Sequence, residues 1–495
     1  MSTREGDEDR GRTIGLWLGP ILAVVIWTQP NIGPLDGDAL TLAGLTVLMA
    51  CWWMTEAIPV AVTALIPLAL FPIVGILPAK QVAPNYGGDL IWLFFGGFQL
   101  AFAVERWNLH RRLAMFLVRL MGTRADRLIL GFMLAAGLLS MWLLNTSTTL
   151  MLLPVAMAVA TAFSNPDFER ALMLGLAYAA SVGGMGTYLG TAPNGVFRET
   201  AANLDGQTGV IDSFGHSMEL SFEHWMLFSA PLSIILMVCI WLYLTRIYAP
   251  VDRQPLPEDH PARVALEGPR QPWSSGEIRV AIVFAIAVFA WISRKYILMA
   301  LDMDPKAITD ATVAIVVTLI LYLVPTRTEK GKVPLLSWNE TAKTPWHILI
   351  LFGGGFALAS GFKVTGLSQI LGASLGGLTA GWPLPLVVIS IVLFMTFLTE
   401  VTSNTATSII LLPIIGDLAV SAHIEPLLLL LPATLAASCA FMLPVATPPN
   451  AVVYGSGMIR LPDMAKAGFG VNLGSAILIT LWTLTWGQWV VLPIL

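Results

Sequence analysis

Charge is what this chain has least of: 12% of its 495 residues are Asp, Glu, Lys or Arg, against the roughly 25% usual in soluble globular proteins. Cysteine is nearly absent. Cys51, Cys239 and Cys439 all lie in apolar stretches without paired spacing, which argues against a disulfide framework, a zinc site or a redox pair. They read as packing residues. No surplus of positive charge exists either, since 27 Lys and Arg face 31 Asp and Glu for a net charge of −4, so a nucleic-acid partner is not expected. Signatures of hydrolytic enzymes are equally scarce. There is no HExxH, no serine-hydrolase elbow is evident, and His110, His216, His224, His260, His347 and His423 sit mostly near the ends of apolar segments, so no enzyme activity is expected.

What is there instead is apolar length. Hydrophobic residues make up 56% of the chain and the mean hydropathy is +0.75, the profile of a membrane protein. The opening residues, MSTREGDEDRGR, are polar and include acids, unlike a cleavable signal peptide, so the first apolar segment is expected to remain. A span needs about 20 mostly apolar residues. Eleven are expected: 13–27, 40–54, 58–76, 90–104, 172–187, 225–244, 279–292, 308–324, 347–361, 426–443 and 472–491. Two further blocks, 128–163 and 384–418, are too long for one span and are interrupted by LLNTSTT and TEVTSNTATS. Each is expected to form a re-entrant hairpin of two helices, because backbone at membrane depth must be helical unless protein or a water-filled cavity shields it.

Lys and Arg concentrate on the cytoplasmic side of membrane proteins. With the N-terminus inside, 21 of the 27 fall there and only Lys80, Arg198, Arg294, Lys295, Lys306 and Lys363 lie outside. This split requires each polar-centred block to return to its starting side. The C-terminus then lies outside. Between the fourth span and the first hairpin, Leu109, Leu113, Phe116, Leu117 and Leu120 recur at helical spacing with Arg111, Arg112 and Arg119 off the stripe, which predicts a helix lying in the interface. The proline-rich linker 250–276 is expected to be extended or mobile.

Comparing the chain with itself reveals three matched landmarks. LFFGGFQLAFA from Leu93 pairs with LFGGGFALASG from Leu351, LNTSTTLMLLP from Leu144 with SNTATSIILLP from Ser403, and GTAPN from Gly190 with ATPPN from Ala446. Paired asparagines lie 259 residues apart at Asn145 and Asn404, and 256 apart at Asn194 and Asn450. Under the charge-derived topology the two copies have opposite orientation, and inverted repeats of this kind characterise secondary transporters with midplane sites. The tips offer amides and hydroxyls from Asn145, Thr146, Asn404 and Thr405, groups that donate to an anion and also ligate a hard cation. The proline motifs beyond them should interrupt helices and free backbone groups. An anion bound without an arginine is costly to carry through a membrane, so sodium ions are a natural source of compensating charge.

Other features have plainer readings. Gly96-Gly97 and Gly353-Gly354-Gly355 belong to no GxxxxGK pattern and read as close helix contacts. Asn145-Thr146-Ser147 matches a glycosylation sequon but lies at a buried tip. Glu400 is an ionisable residue inside the second hairpin where the first has Met141, which suggests either a functional group or one that orients the tip.

These motifs, together with WWMTEAIPVAVTALIPLALFP from Trp52, resemble the divalent anion/sodium symporter family of dicarboxylate and citrate carriers, over nearly the whole chain. The resemblance implies an all-α polytopic protein of about eleven transmembrane helices and two re-entrant hairpins, built as inverted repeats and working as an elevator in a homodimer. Its implied domains are a scaffold half at 1–126 with the interfacial helix, a transport half at 127–224, a second scaffold half at 225–383, and a second transport half with the last helix at 384–495. It implies sodium-driven uptake of succinate, malate, fumarate or a related divalent organic anion, in a bacterial inner membrane. One sodium site would use Ser140, Asn145 and carbonyls near Gly190; the second would use Thr399, Asn404 and carbonyls near Thr402 and Ala446. Substrate contacts would come from Asn145, Thr146, Thr191, Asn404, Thr405, Thr447 and Pro448. One departure stands out: Leu144 occupies the place of the family's serine in the first tip. A sodium-independent dicarboxylate exchanger, or a carrier of sulfate or citrate, remains the alternative.

Overall fold

The computed structural model describes residues 2–29, 35, 37–163, 165–205, 217–218, 220–251, 272–328 and 331–491. Among these, nine helices are long and apolar enough to cross a membrane. Seven coincide with expected spans: Gly11–Thr28, Gly37–Thr55, Ala79–Arg106, Phe222–Tyr248, Ser275–Ala300, Trp346–Thr365 and Leu461–Trp489. The expected spans 58–76, 308–324 and 426–443 are shorter apolar helices, Val60–Val74, Asp310–Leu323 and Leu427–Ala437, while 172–187 falls in the helix Pro166–Gly184. Every expected span is thus helical, but four of the eleven are shorter or more polar than a lone membrane-crossing helix. The linker 252–271 lies outside the described residues.

Both long blocks fold as hairpins. The first joins Ala125–Ser140 to Asn145–Phe163 and the second joins Leu384–Leu398 to Asn404–Ser421. Each is followed by a helix broken in its middle: Pro166–Gly184 resumes as Ala192–Asp205, and Leu427–Ala437 resumes as Pro448–Gly455. The first half of each broken helix packs on both arms of the hairpin before it, and the second half packs on the second arm of the other hairpin. The two copies therefore interlock rather than sit side by side.

Composition explains the tightness of this centre. The Leu427–Ala437 helix is buried over its whole length, and the Pro166–Gly184 helix is buried continuously from Ala171, as expected of helices apolar on every face. Where the first broken helix crosses the first hairpin, a Cβ on Gly183 would stand 2.1 Å from the Gly137 carbonyl oxygen. Only glycine permits this approach.

The helix expected in the interface is present as Leu109–Leu120. Leu113, Phe116 and Leu120 are exposed on its apolar face, while Leu109, Ala114 and Val118 are buried against the protein. A second helix at the equivalent place in the other repeat, Leu367–Thr379, was not read from the sequence. It has no arginines to mark an amphipathic face, although the repeat offset points to it. A two-stranded antiparallel hairpin, Pro325–Thr328 with Gly331–Pro334, is the small β addition.

Ion pairs gather at two ends of the molecule. Arg106 meets Glu340 at 2.9 Å, Arg112 meets Glu277 at 3.0 Å, and Arg124 and Arg246 share Asp126. Elsewhere Arg198 and Arg294 share Asp310, at 2.9 and 2.6 Å. Each group contains only residues that the charge asymmetry assigns to one side.

Candidate ion and substrate site

Asn145 opens the second arm of the first hairpin, where the first turn of a helix leaves backbone N–H groups unpaired. Its amide reaches Ser140 Oγ at 2.7 Å, the Gly190 carbonyl at 3.2 Å and the Ala180 carbonyl at 3.3 Å. With Nδ2 turned toward these atoms the amide donates to all three. With Oδ1 turned toward them, the Ser140 hydroxyl donates to Oδ1 at 2.7 Å and the two carbonyl oxygens face it, a set of oxygens that suits a hard cation. Ser140, Asn145 and Gly190, which the family resemblance groups, lie together, and Ala180 joins them. Gly184 makes room, since a Cβ there would lie 2.8 Å from Asn145 Oδ1.

The equivalent place in the second repeat is built differently. Asn404 Oδ1 is buried and has no hydrogen-bond partner among the described residues, which costs about 1–3 kcal/mol when nothing satisfies such an atom. Thr399 is fully buried and donates back to the Met395 and Thr396 carbonyls at 3.0 and 3.1 Å. Thr402 donates to the Leu398 carbonyl at 2.7 Å, and Ala446 is buried in the break of the second broken helix. Hydroxyls and carbonyls already used once keep lone pairs for a further ligand, so an orphaned amide oxygen beside such groups fits a hard cation.

Among the groups expected to touch an anion, Thr146, Thr191 and Thr405 are half-buried and Pro448 is exposed. Thr447 is buried, and its hydroxyl caps the helix after it by accepting from the Asn450 N–H at 3.4 Å. The helix 192–205 packs on the second hairpin and the helix 448–455 on the first. Each proline motif thus opens a helix that lies along the second arm of the other hairpin.

Two asparagines that the repeat comparison used only as landmarks hold the breaks in shape. Asn194 Nδ2 donates to the Gly184 and Thr187 carbonyls at 3.0 and 2.7 Å. Asn450 Nδ2 donates to the Ala440 and Leu443 carbonyls at 3.1 and 3.0 Å. Each bond reaches back ten and seven residues, so both breaks have the same internal clasp. The signal was in the sequence: an asparagine closing each proline motif at constant offset.

One pentapeptide, Gly372-Ala373-Ser374-Leu375-Gly376, does have the GxSxG spacing. It lies within the helix Leu367–Thr379, and Ser374 donates to the Ile370 carbonyl at 2.8 Å. A nucleophile elbow needs a sharp strand-to-helix turn, which this helix does not provide.

Comparison with known proteins agrees with this geometry. A profile of the sodium:sulfate symporter transmembrane region matches residues 12–493. The sodium-dependent dicarboxylate transporter SdcS of Staphylococcus saprophyticus is 39% identical over 484 residues, covering 95% of this chain and 90% of the relative. SdcS of Staphylococcus aureus is 40% identical over the same shares. Among solved structures, the Alcanivorax borkumensis YdaH transporter aligns with a TM-score of 0.57 at 13% identity, covering 92% of this chain and all of that one. Neisseria gonorrhoeae MtrF aligns with the same score and identity over 94% of this chain and 97% of its own, and at such identity both likenesses speak for the fold alone. Duplicated hairpins, interlocked broken helices and a match across nearly the whole length make one conclusion: the chain is a multi-pass membrane protein of the sodium:sulfate symporter family, the divalent anion/sodium symporters that its tip and proline motifs resemble.

Proposed function

We propose that this protein is a secondary active transporter that couples sodium influx to uptake of dicarboxylates such as succinate, malate or fumarate across a bacterial plasma membrane. The observation that carries the reading is the pair of matched tips: an amide at Asn145 among Ser140 Oγ and two carbonyls, and an orphaned, buried amide oxygen at Asn404. Relatives at 39 and 40% identity are sodium-dependent dicarboxylate transporters, which favours a dicarboxylate over sulfate or citrate and sodium coupling over exchange.

In this reading the first sodium lies between Ser140, Asn145 and the Gly190 carbonyl, and the second between Thr399, Asn404 and the carbonyls of Thr402 and Ala446. Sodium turns Asn145 Oδ1 inward, so its Nδ2 is released toward the substrate. Asn145, Thr146 and Thr191 from one repeat, with Asn404, Thr405 and Thr447 from the other, hold the two carboxylates, and Pro448 lines the same cavity. Two cations cancel a dianion's charge, which removes most of the electrostatic cost of crossing the membrane. Coupling follows, because neither charge moves cheaply alone.

The hairpins and broken helices form the moving transport domain of an elevator, and the helices within 1–126 and 225–383 form the scaffold and homodimer interface. The N-terminus is cytoplasmic and the C-terminus external. The orientation rests on the Lys and Arg asymmetry; the ion pairs, which join Arg106 to Glu340, Arg112 to Glu277 and Arg124 to Arg246 through Asp126, and separately Arg198 to Arg294 through Asp310, agree with its grouping of these residues.

The test is uptake of labelled succinate into liposomes holding the purified protein, under an inward sodium gradient and with choline in its place. Saturable uptake only with sodium is expected, and Asn145→Ala with Asn404→Ala should abolish it without preventing membrane insertion. Uptake indifferent to sodium but stimulated by internal dicarboxylate would replace symport with exchange.

A further inference from the structure

The second hairpin carries a carboxylate that its counterpart lacks, and every partner of that carboxylate is a donor. Glu400 is 4% exposed. Its Oε1 accepts from the Phe441 N–H at 2.7 Å, the Met442 N–H at 2.9 Å and Asn472 Nδ2 at 2.6 Å, while Oε2 accepts from the Met442 and Leu443 N–H groups at 3.1 Å each. Three consecutive backbone N–H groups in the break of the second broken helix, and one side chain of the last helix, thus converge on the tip of the hairpin.

The first repeat explains why this carboxylate is needed. Phe441, Met442 and Leu443 correspond to Met185, Gly186 and Thr187 at the 256-residue offset, and Glu400 corresponds to Met141 at the 259-residue offset. The Met185 and Gly186 N–H groups donate to the Val182 and Gly183 carbonyls at 3.2 and 2.9 Å, so they need no outside acceptor. The tie between tip and break is made there by the Thr187 hydroxyl, which donates to the Met141 carbonyl. Both repeats fasten tip to break at the same two positions. In the second the break leaves its N–H groups free of local carbonyls, and leaving one buried and two half-buried donors unsatisfied would be costly.

We infer that Glu400 is a positioning residue for the second cation site: it sets the distance between the hairpin tip that supplies Thr399, Thr402 and Asn404 and the break that supplies the Ala446 carbonyl. The inference rests on the sodium-site reading proposed above. The path from Glu400 to Ala446 is short. Glu400 fixes the Leu443 N–H, and the Leu443 carbonyl in turn accepts from the Ala446 N–H at 3.2 Å and from Asn450 Nδ2 at 3.0 Å. Glu400 is also bonded in sequence to Thr399 and two residues from Thr402. Oxygen ligands tolerate a cation only within a few tenths of an ångström, so loosening this tie weakens the site without removing a ligand.

Sodium activation of succinate uptake in liposomes tests it, with Glu400→Gln, Asn472→Ala and Asn404→Ala measured beside the unaltered protein. Gln keeps the shape but turns one acceptor into a donor facing N–H groups. Glu400→Gln should raise the sodium concentration for half-activation about tenfold, as loss of an outer-shell partner commonly does at metal sites. The KM for succinate at saturating sodium should stay nearly unchanged. Asn472→Ala, which removes one donor and leaves the three backbone donors, should shift activation the same way by less, and it decides the matter if Glu400→Gln does not fold. A Glu400→Gln protein that is less heat-stable or less active, yet has unaltered sodium activation, would overturn the inference and leave Glu400 a folding device. The control separates the two readings. If Asn404→Ala leaves sodium activation unaltered the site assignment itself fails, whereas if it shifts activation and neither Glu400→Gln nor Asn472→Ala does, only the role of Glu400 falls.

Discussion

Leu144 and Ser403 occupy the same position in the two tips and do different work. The Ser403 hydroxyl caps its helix by accepting from the Ala406 N–H at 3.5 Å, and its carbonyl accepts from the Thr407 N–H at 2.9 Å. Leu144 keeps only the carbonyl bond, from the Thr148 N–H at 3.0 Å, and packs its side chain against the core. Leu144→Ser would add a cap worth about 1 kcal/mol and lose apolar burial of similar size, so folding should survive. It also restores an oxygen beside the proposed first cation site, and a lower sodium concentration for half-activation is the expected result in the liposome assay. An unaltered activation curve would mean that the family's serine acts through its main chain alone. The Asn450 clasp allows a second residue-level test. Asn450→Ala takes the Nδ2 donor from the Ala440 carbonyl and leaves the Leu443 carbonyl only the Ala446 N–H in the break, at a cost of about 1–3 kcal/mol that a thermal-unfolding midpoint in detergent would register as a fall.

At the scale of elements, the hairpins were legible because a polar cluster inside a long apolar block has to be shielded from lipid, and a chain that turns back within the protein shields it. The broken helices were legible because proline marks them. Helix lengths were less so. The span expected at 58–76 divides into Val60–Thr63 and Ile66–Val74, with Pro67 in the first turn of the second piece, where a missing N–H is tolerated. The helix Leu367–Thr379 escaped notice because an amphipathic face is recognised by its charges, and this helix has none. Packing of elements supplies the next prediction. Gly183 crosses Gly137 so closely that Gly183→Ala forces backbone apart, and a loss of about 1–3 kcal/mol is expected, read as a lower unfolding midpoint. Gly377, with open space around its position, is the control: Gly377→Ala on that helix should be neutral or slightly stabilising.

Charge pairing matters most at the scale of the whole molecule. Asp310 is fully buried and lies between Arg198, from the second half of the first broken helix, and Arg294, from the helix Ser275–Ala300. Arg294 also donates to the Ile308 carbonyl at 2.8 Å. Asp310→Asn would take the buried carboxylate from two largely buried guanidinium groups, with Arg198 keeping the more distant Asp89 carboxylate at 4.0 Å, and removing one partner of a buried pair costs about 3–5 kcal/mol, so the unfolding midpoint should drop sharply. A midpoint within error of the unaltered protein would contradict the network's weight. At the other end, Glu340 sits outside the spans. Partial burial alone would raise its pKa, but the Ser337 N–H and hydroxyl and the Arg106 guanidinium outweigh it and hold the carboxyl below its ordinary range. Its contribution to stability is therefore full above the usual Glu value of about 4.3 and is lost as pH falls through the lower folded-state value. Glu340→Gln should flatten the acid limb of the stability profile.

Membrane residence, the repeat and the polar tips could be read along the chain because each is a matter of local composition or of spacing between similar stretches. The proposed sidedness of the loops rests on the same kind of source, a count of Lys and Arg. Three-dimensional packing settled the rest. Nothing in the spacing says that each broken helix crosses to the other hairpin, that the Ala180 carbonyl joins Asn145, or that Glu400 collects the N–H groups of residues 441–443. Those relations depend on contacts between segments tens to hundreds of residues apart, where buried donors and acceptors must find partners that no local pattern specifies. Met141 and Glu400 make the point most plainly: the same position in two copies of one motif calls for an apolar side chain or a carboxylate according to whether the backbone across from it has already paired.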